Sequence, residues 1–406
     1  MTIQHSRQPE PDPSDPTAAV SAPDISIDRA GDSLALVRYT FGRLPADSLV
    51  LIGLQGGTTG GHLRLDFSAA LKNPRHCAER AADWLAGPEA DPVPDAVLAA
   101  VFTDAWPAQR QHQGSSLISQ LEHILQIRHR CPLIKTWYIG GGYVRDFDCT
   151  DPRCCPYPGL AAEDEIAAAL TRSPQLDRLN PVSAPDHTIQ TFLGVPPGPD
   201  APTAEMIRSA RQRTRNTHSG DLALDLWEIS LKEITTTGHC TSALNPGHIA
   251  ALLRSAEEPL LVQAMAPLAA VGIETARLGC RISALTEETT SPNESRGKAY
   301  EDYAAALTGS TEAPPAWDRI EALDALLHLL MPYQGSHRPN LLALKGWIEW
   351  VKGSGSSATL AVDTCLGEQP DHVLAQFLAE LFEAIGPCPW ARVKQHSHGW
   401  WYSRRS

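Results

Sequence analysis

Nowhere does the chain hold an uninterrupted apolar run of about 18 residues, the length a membrane-spanning helix needs, so no span is expected. Its start, MTIQHSRQPEPDPSDP, lacks the apolar stretch that opens a secretory signal, and a cytoplasmic protein is expected. Positive charge is scarce: 34 Lys and Arg face 47 Asp and Glu, for a net charge of −13. Non-specific nucleic-acid affinity comes from neutralising phosphates with cations. A broad nucleic-acid surface is therefore disfavoured, and local basic patches remain open. A disulfide framework is also lacking, because the nine cysteines are odd in number and follow no framework spacing. Reduced thiols are expected, and any cysteine cluster must then be metal-binding, catalytic or structural.

No complete catalytic motif is present either. The triple glycine Gly140, Gly141 and Gly142 resembles a phosphate cradle only in composition, since such a loop must open a helix whose N–H groups point at the anion. Here it lies between Trp137, Tyr138 and Ile139 and the alternating Tyr143, Val144 and Phe147. Two strands joined by a glycine turn are the expectation.

What is there suits a folded chain of about two domains: 406 residues, of which 42% are hydrophobic. Residues 1–24, rich in Pro, Ser, Asp and Thr, read as a disordered leader. Residues 25–180 read as a mixed α/β domain. A helix from Asp32 to Phe41 precedes a buried strand, Ser48 to Leu54, and its hairpin partner, His62 to Phe67. A helix capped by Asn73 and opened by Pro74 follows, then the strand Val97 to Asp104 and a helix from Ser115 to about Arg130. The glycine hairpin and a three-cysteine loop close this domain. The Pro-rich stretch 181–202 reads as a connector. Residues 203–390 read as helices, clearest at Trp317 to Leu330, and 391–406 as a basic, aromatic tail that frays. The fold class is thus α/β, a mixed sheet with covering helices, followed by an all-α, TPR-like helical domain. Gly346, Ala358 and Pro370 fall at the tetratricopeptide spacing, although Leu342 and Glu349 stand where that pattern has aromatics.

Three stretches, DSLALVRYTFGRLPADSLVLIGL from Asp32, AVFTDAW from Ala100 and above all CTDPRCCPYPG from Cys149, carry a family resemblance. With the C-terminal segment from Leu341 to Ala384, they make the chain similar to the uncharacterised, mainly actinobacterial family known as domain of unknown function number 4192. The resemblance spans roughly residues 30 to 390 and implies no activity.

Candidate sites follow from residue type and placement. Cys149, Cys154 and Cys155 are zinc-type donors. C-x4-C-C is a poor spacing, because neighbouring cysteines do not easily face one ion, and a fourth ligand such as His187 or His239 would be needed. The plainer reading packs these thiols under the hairpin. A nucleophilic thiol would need a nearby cation, and Arg145 and Arg153 are close in sequence. If each helix joins parallel neighbouring strands, Asp66, Asp104 and the triple glycine share the carboxyl-end edge, where open α/β sheets bind ligands. The two aspartates could there hold Mg²⁺ or act as an acid/base pair, or simply cap turns. Arg208, Arg211 and Arg215 align on one helical face, with Arg213 beside them. They can meet an acidic partner or pair with Asp221, Asp225 and Glu228 of the next helix. Taken together, these features point first to a non-catalytic interaction protein with a helical partner-binding surface and an unidentified protein partner. The alternatives are an enzyme or small-ligand binder using Asp66 and Asp104, and a structural zinc site at the cysteine loop. No cofactor motif is present, and zinc is the one cofactor in question.

Overall fold

The computed structural model describes residues 27, 29–41, 44–55, 58–87, 93–103, 107–172, 202–213, 220–240, 242, 245–283 and 294–404. Its first part is a six-stranded sheet in the order β2-β1-β3-β4-β5-β6. The strands are β1 (Ser48–Gln55), β2 (Thr58–Asp66), β3 (Ala96–Thr103), β4 (Leu133–Gly140), β5 (Tyr143–Asp146) and β6 (Leu160–Ala161). Only β3 and β4 pair in parallel, and the other neighbours run antiparallel. The helix α4 (Pro107–Ile124), continued by a π-helical turn over Leu125–His129, makes the crossover that a parallel pair requires.

Strand β1 reads as a continuous apolar run because both of its faces are covered. On one face Leu49, Leu51, Val97, Val101 and Tyr138 meet Phe67, Ala78, Ala82, Leu117 and Leu121, from α2 (Phe67–Lys72), α3 (Pro74–Ala86) and α4. On the other, Val50, Ile52, Leu98, Phe102 and Ile139 meet Leu34, Val37, Ile166 and Ala169, from α1 (Ala30–Phe41) and α5 (Ala162–Arg172). Period-two alternation along each strand produces the two cores, one on either side of the sheet.

The expected common direction of β2, β3 and β4 holds, but their neighbourhood differs. Strand β1 lies between β2 and β3, so that Ser48 faces Asp66 on one side and Phe102 on the other. Two strand spacings, roughly 10 Å, therefore separate those two strand ends. Phe67, expected in a strand, instead starts α2. The short strand β6 was hidden in a stretch with no strand signal.

The second part is helical, as expected. Its helices are α6 (Ala204–Arg213), α7 (Gly220–Thr237), α8 (Pro246–Ser255), α9 (Pro259–Ala270), α10 (Ile273–Ser283), α11 (Glu294–Leu307), α12 (Trp317–Leu330), α13 (Arg338–Val351), α14 (Gly355–Glu368), α15 (Val373–Ile385), α16 (Pro389–Arg392) and α17 (His398–Ser403). They share one hydrophobic core running from Ile207 to Trp390. Indole N–H groups buried there all find acceptors: Trp227 on Ser255 Oγ at 2.8 Å, Trp347 on the Leu307 carbonyl at 2.7 Å, and Trp350 on the Gly386 carbonyl at 2.7 Å. A buried indole without a partner would lose this compensation.

At the tetratricopeptide-like spacing, α13 and α14 do cross closely. A Cβ on Gly346 would lie 2.7 Å from Val362 Cγ2 and 3.3 Å from the Ala358 carbonyl oxygen. Helix α10 carries no strong sequence signal because Gly279 interrupts it, and that glycine makes room for the Tyr303 ring. The tail is packed rather than frayed. Ser397 caps α17 by accepting the Trp400 N–H at 3.3 Å, the Trp317 indole donates to the His396 carbonyl at 2.8 Å, and the His398 ring meets Trp317 edge-on at 5.1 Å. The connector 181–202 lies outside the described residues apart from Pro202, whose carbonyl accepts the Tyr333 hydroxyl at 3.0 Å.

Helix α3 meets the end of α15. The Trp84 ring fills the space that a side chain on Gly386 would need, and Arg80 donates to the Glu383 and Ala384 carbonyls. Among the described residues, no helix is long and apolar enough to cross a membrane.

Candidate metal centre

The cysteine loop is held by the hairpin that precedes it. Gly141 and Gly142, with φ of 57° and 83°, form a two-residue turn between Gly140 and Tyr143, the geometry in which both central residues need positive φ. Strand β5 ends at Asp146, whose carboxylate Oδ1 accepts the N–H groups of Asp148 at 3.0 Å and Cys149 at 3.1 Å. Its other oxygen pairs with Lys135 across β4. Arg145 donates to the Cys149 carbonyl at 3.0 Å. Further along, the Asp151 carbonyl accepts from Cys155 N–H at 2.9 Å and its carboxylate from Arg153 N–H at 2.9 Å. Gly159, at φ 136°, brings the chain so close to β5 that a Cβ there would sit 2.5 Å from the Val144 carbonyl oxygen. Both ends of the loop are thus fastened to the sheet.

This loop brings the three thiols together. Cys149 Sγ lies 3.1 Å from Cys154 Sγ, and Cys154 Sγ lies 3.6 Å from Cys155 Sγ. All three sulfurs fall within 4.8 Å of one another. With Zn–S bonds of about 2.3 Å, the edge of a tetrahedral site is about 3.8 Å. The turn at Pro152–Cys154 brings the thiols of the adjacent pair to the same side. Cys154 is exposed and the other two are half-buried. Hydrogen bonds from the Cys154 thiol, the backbone at Asp151 and the Cys155 thiol hold Cys149 below the ordinary thiol range. As donor to Cys149 and neighbour of Cys155, Cys154 is pushed up to about 12. The charge of a bound cation would deprotonate the thiols that hold it. Lys135 feels both Cys155 and Cys149, and its hydrogen bond to Asp146 raises its pKa. Sequence reasoning did not single out Lys135 or Asp146. They are diagonal neighbours on antiparallel strands, Asp146 standing opposite Trp137.

The chain belongs to the DUF4192 family. The model of this domain of unknown function matches residues 31–179 and 296–387, more than half of the chain. No curated protein and no solved structure matches. The first matched segment contains the whole sheet and the cysteine loop. Residues 180–295 lie outside the match, yet α6 to α10 contribute Ile207, Trp227, Leu252, Met265 and Ala276 to the same core as the second matched segment.

Other candidates are placed as follows. Asp66 caps α2, its Oδ1 accepting the Ala69 N–H at 2.6 Å. Asp104 lies outside the described residues, as do Arg215 and His187. Arg208 is exposed, whereas Arg211 is half-buried in an ion pair with Glu257. The acids expected to face that arginine stripe pair elsewhere: Asp221 with Arg281 at 3.0 Å, Asp225 with Arg277 at 2.5 Å, and Glu228 with Arg319 at 2.6 Å. His239 is exposed, and it is not among the donors gathered at Cys149. A cleft of about 410 Å³ between α10 and α11 is lined by Arg277, Arg281, Lys298, Glu274 and Asp302. Its two arginines are already tied to acidic partners.

Proposed function

We propose that this is a metal-binding protein whose cysteine loop holds one thiophilic d¹⁰ cation, zinc(II) first, through Cys149, Cys154 and Cys155. The convergence of three sulfurs within 4.8 Å carries this reading. Thiolate ligands select soft or borderline cations over Mg²⁺ and Ca²⁺, and the loop needs little rearrangement to accept one. Strapped to β5 at both ends, it would have a structural part as well, since metal bound to the native loop adds its binding energy to folding.

Metal analysis of the full chain, purified without chelator beside C149S and C154S, tests this. One equivalent of zinc in the parent and none in either variant is expected, with unchanged far-ultraviolet circular dichroism. A parent chain that stays metal-free after incubation with zinc would sink the proposal.

A second reading is favoured by one feature of α15. Val373 and Phe377, 74% and 37% exposed, stand one turn apart on its outer face. Apolar anchors at that spacing are the recognition pattern of a helical interaction surface, and they support a protein partner held by the helical domain. Charged substitutions V373D and F377E should abolish co-purification of such a partner from cells of the source. Retention of every co-purifying protein would refute this second reading.

A further inference from the structure

The cysteine loop supplies three ligands, whereas zinc in proteins is four-coordinate, and sites with three protein ligands keep the fourth position for water or substrate. Among the described residues, no histidine or carboxylate joins the three sulfurs. Of the acids in the loop, Asp146 is tied to Lys135 and to two backbone N–H groups, and Asp151 to the Arg153 N–H. Cys154 is exposed and the Arg153 side chain is 92% exposed, so the open side of the cluster faces solvent. Resting on the zinc reading above, we infer that this fourth position is a binding site for a low-molecular-weight thiol, held as its thiolate.

Ligand chemistry points to sulfur. Three thiolates place much of their charge on the metal, so a bound water is acidified less than at a site of neutral imidazoles, and hydrolysis is disfavoured. A soft ligand set instead prefers a fourth soft donor, and a thiol that coordinates zinc is deprotonated outright. Binding is balanced as follows: the thiol R–SH replaces the zinc-bound water, one S–Zn bond forms, one O–Zn bond breaks, and the thiol proton leaves to solvent. No redox partner is required. Lys135 and Arg153 beside the cluster are already paired with Asp146 and Asp151.

The test uses the zinc-loaded full chain with thioglycolate as probe and methylthioacetate, whose sulfur bears no proton, as control. Zinc X-ray absorption should show three sulfur neighbours and one oxygen or nitrogen before addition and four sulfurs after it. One proton should be released per chain, and methylthioacetate should do neither. A cobalt-substituted sample should gain sulfur-to-metal charge-transfer absorption by about one third on thioglycolate addition. Four protein ligands at rest, undisturbed by thioglycolate, would overturn the inference and leave the zinc reading standing. Three sulfurs with a water that thioglycolate does not displace would overturn it equally. No uptake of zinc or cobalt would remove both readings.

Discussion

Replacing Asp324 with asparagine removes one negative charge from the middle of the helical domain while changing its shape little. Asp324 Oδ1 accepts from Lys345 Nζ at 2.6 Å, and its Oδ2 from Lys352 Nζ at 2.7 Å. Glu349 lies 2.7 Å from Lys345, and Glu321 lies 2.7 Å from Lys352, so two lysines sit among three carboxylates. Removing one partner of a buried ion pair costs about 3–5 kcal/mol, because the other charge is left without compensation. Here each lysine keeps a glutamate, which places D324N near the lower end, about 3 kcal/mol. Urea unfolding followed by the fluorescence of Trp347 and Trp350, both buried in this domain, should show a lower midpoint with an unchanged slope. A double variant D324N/K345M should lose about 1–3 kcal/mol less than the sum of its single variants. The pH dependence has a definite sign. Burial opposes the charged form of Asp324, but Lys352 and then Lys345 outweigh it and hold the carboxyl well below the usual carboxylate range. Its contribution is therefore present above the unfolded pKa, about 4, and is lost as the pH falls towards the folded value. The gap between parent and D324N should narrow on acidification below that point. A D324N midpoint within about 0.5 kcal/mol of the parent at neutral pH would refute the reasoning.

Gly386→Ala places a Cβ 2.1 Å from the Trp84 ring at a residue with φ 77°; the backbone strain alone is about 1–2 kcal/mol, so thermal melting should show clear destabilisation, and an unchanged melting curve would contradict the α3–α15 contact. Gly346→Ala meets Val362 Cγ2 at 2.7 Å and should cost about 1–3 kcal/mol as overpacking, with V362A as a second-site suppressor in urea titrations. If the double variant is less stable than G346A, the helix crossing is not the cause. In chelator-treated protein, iodoacetamide should label Cys149 first, whereas Cys365 and Cys388, whose thiols burial pushes up to about 12, should resist. Peptide mapping checks this order, and Cys388 reacting as fast as Cys155 would count against it. Leu117→Ala, at a fully buried position of α4, should cost about 2–5 kcal/mol in denaturant titration.

Much of the fold was legible because local signals and tertiary outcome agree. The glycine hairpin, the strand from Ser48, the Asn73–Pro74 helix start and the Trp317 helix all follow from turn chemistry and periodicity acting on neighbours in sequence. Illegible elements were those whose signal lies in a distant partner. Gly279 weakens α10 on its own and makes sense only against the Tyr303 ring. Leu160 and Ala161 form a strand because β5 offers them an edge. The tail reads as frayed until Trp317 supplies a donor for the His396 carbonyl. Of the candidate site, the three cysteines were visible as a group. Their spacing argued against one ion, and the turn over Pro152–Cys154 that brings the adjacent pair to one side was not legible.

By itself the sequence determined the class: a net acidic chain without a spanning segment, an α/β half and a helical half, and a family signature centred on CTDPRCCPYPG. These are properties of composition, local period and local turn geometry, which need no knowledge of what lies across the molecule. Only the tertiary structure decided that β1 separates Asp66 from the end of β3, that Arg211 faces Glu257, and that Lys345 and Lys352 share Asp324. It also decided that three sulfurs along the loop meet at one point on the sheet edge. Each is a contact between residues whose distance depends on the path of the backbone between them, and sequence periodicity does not encode that path.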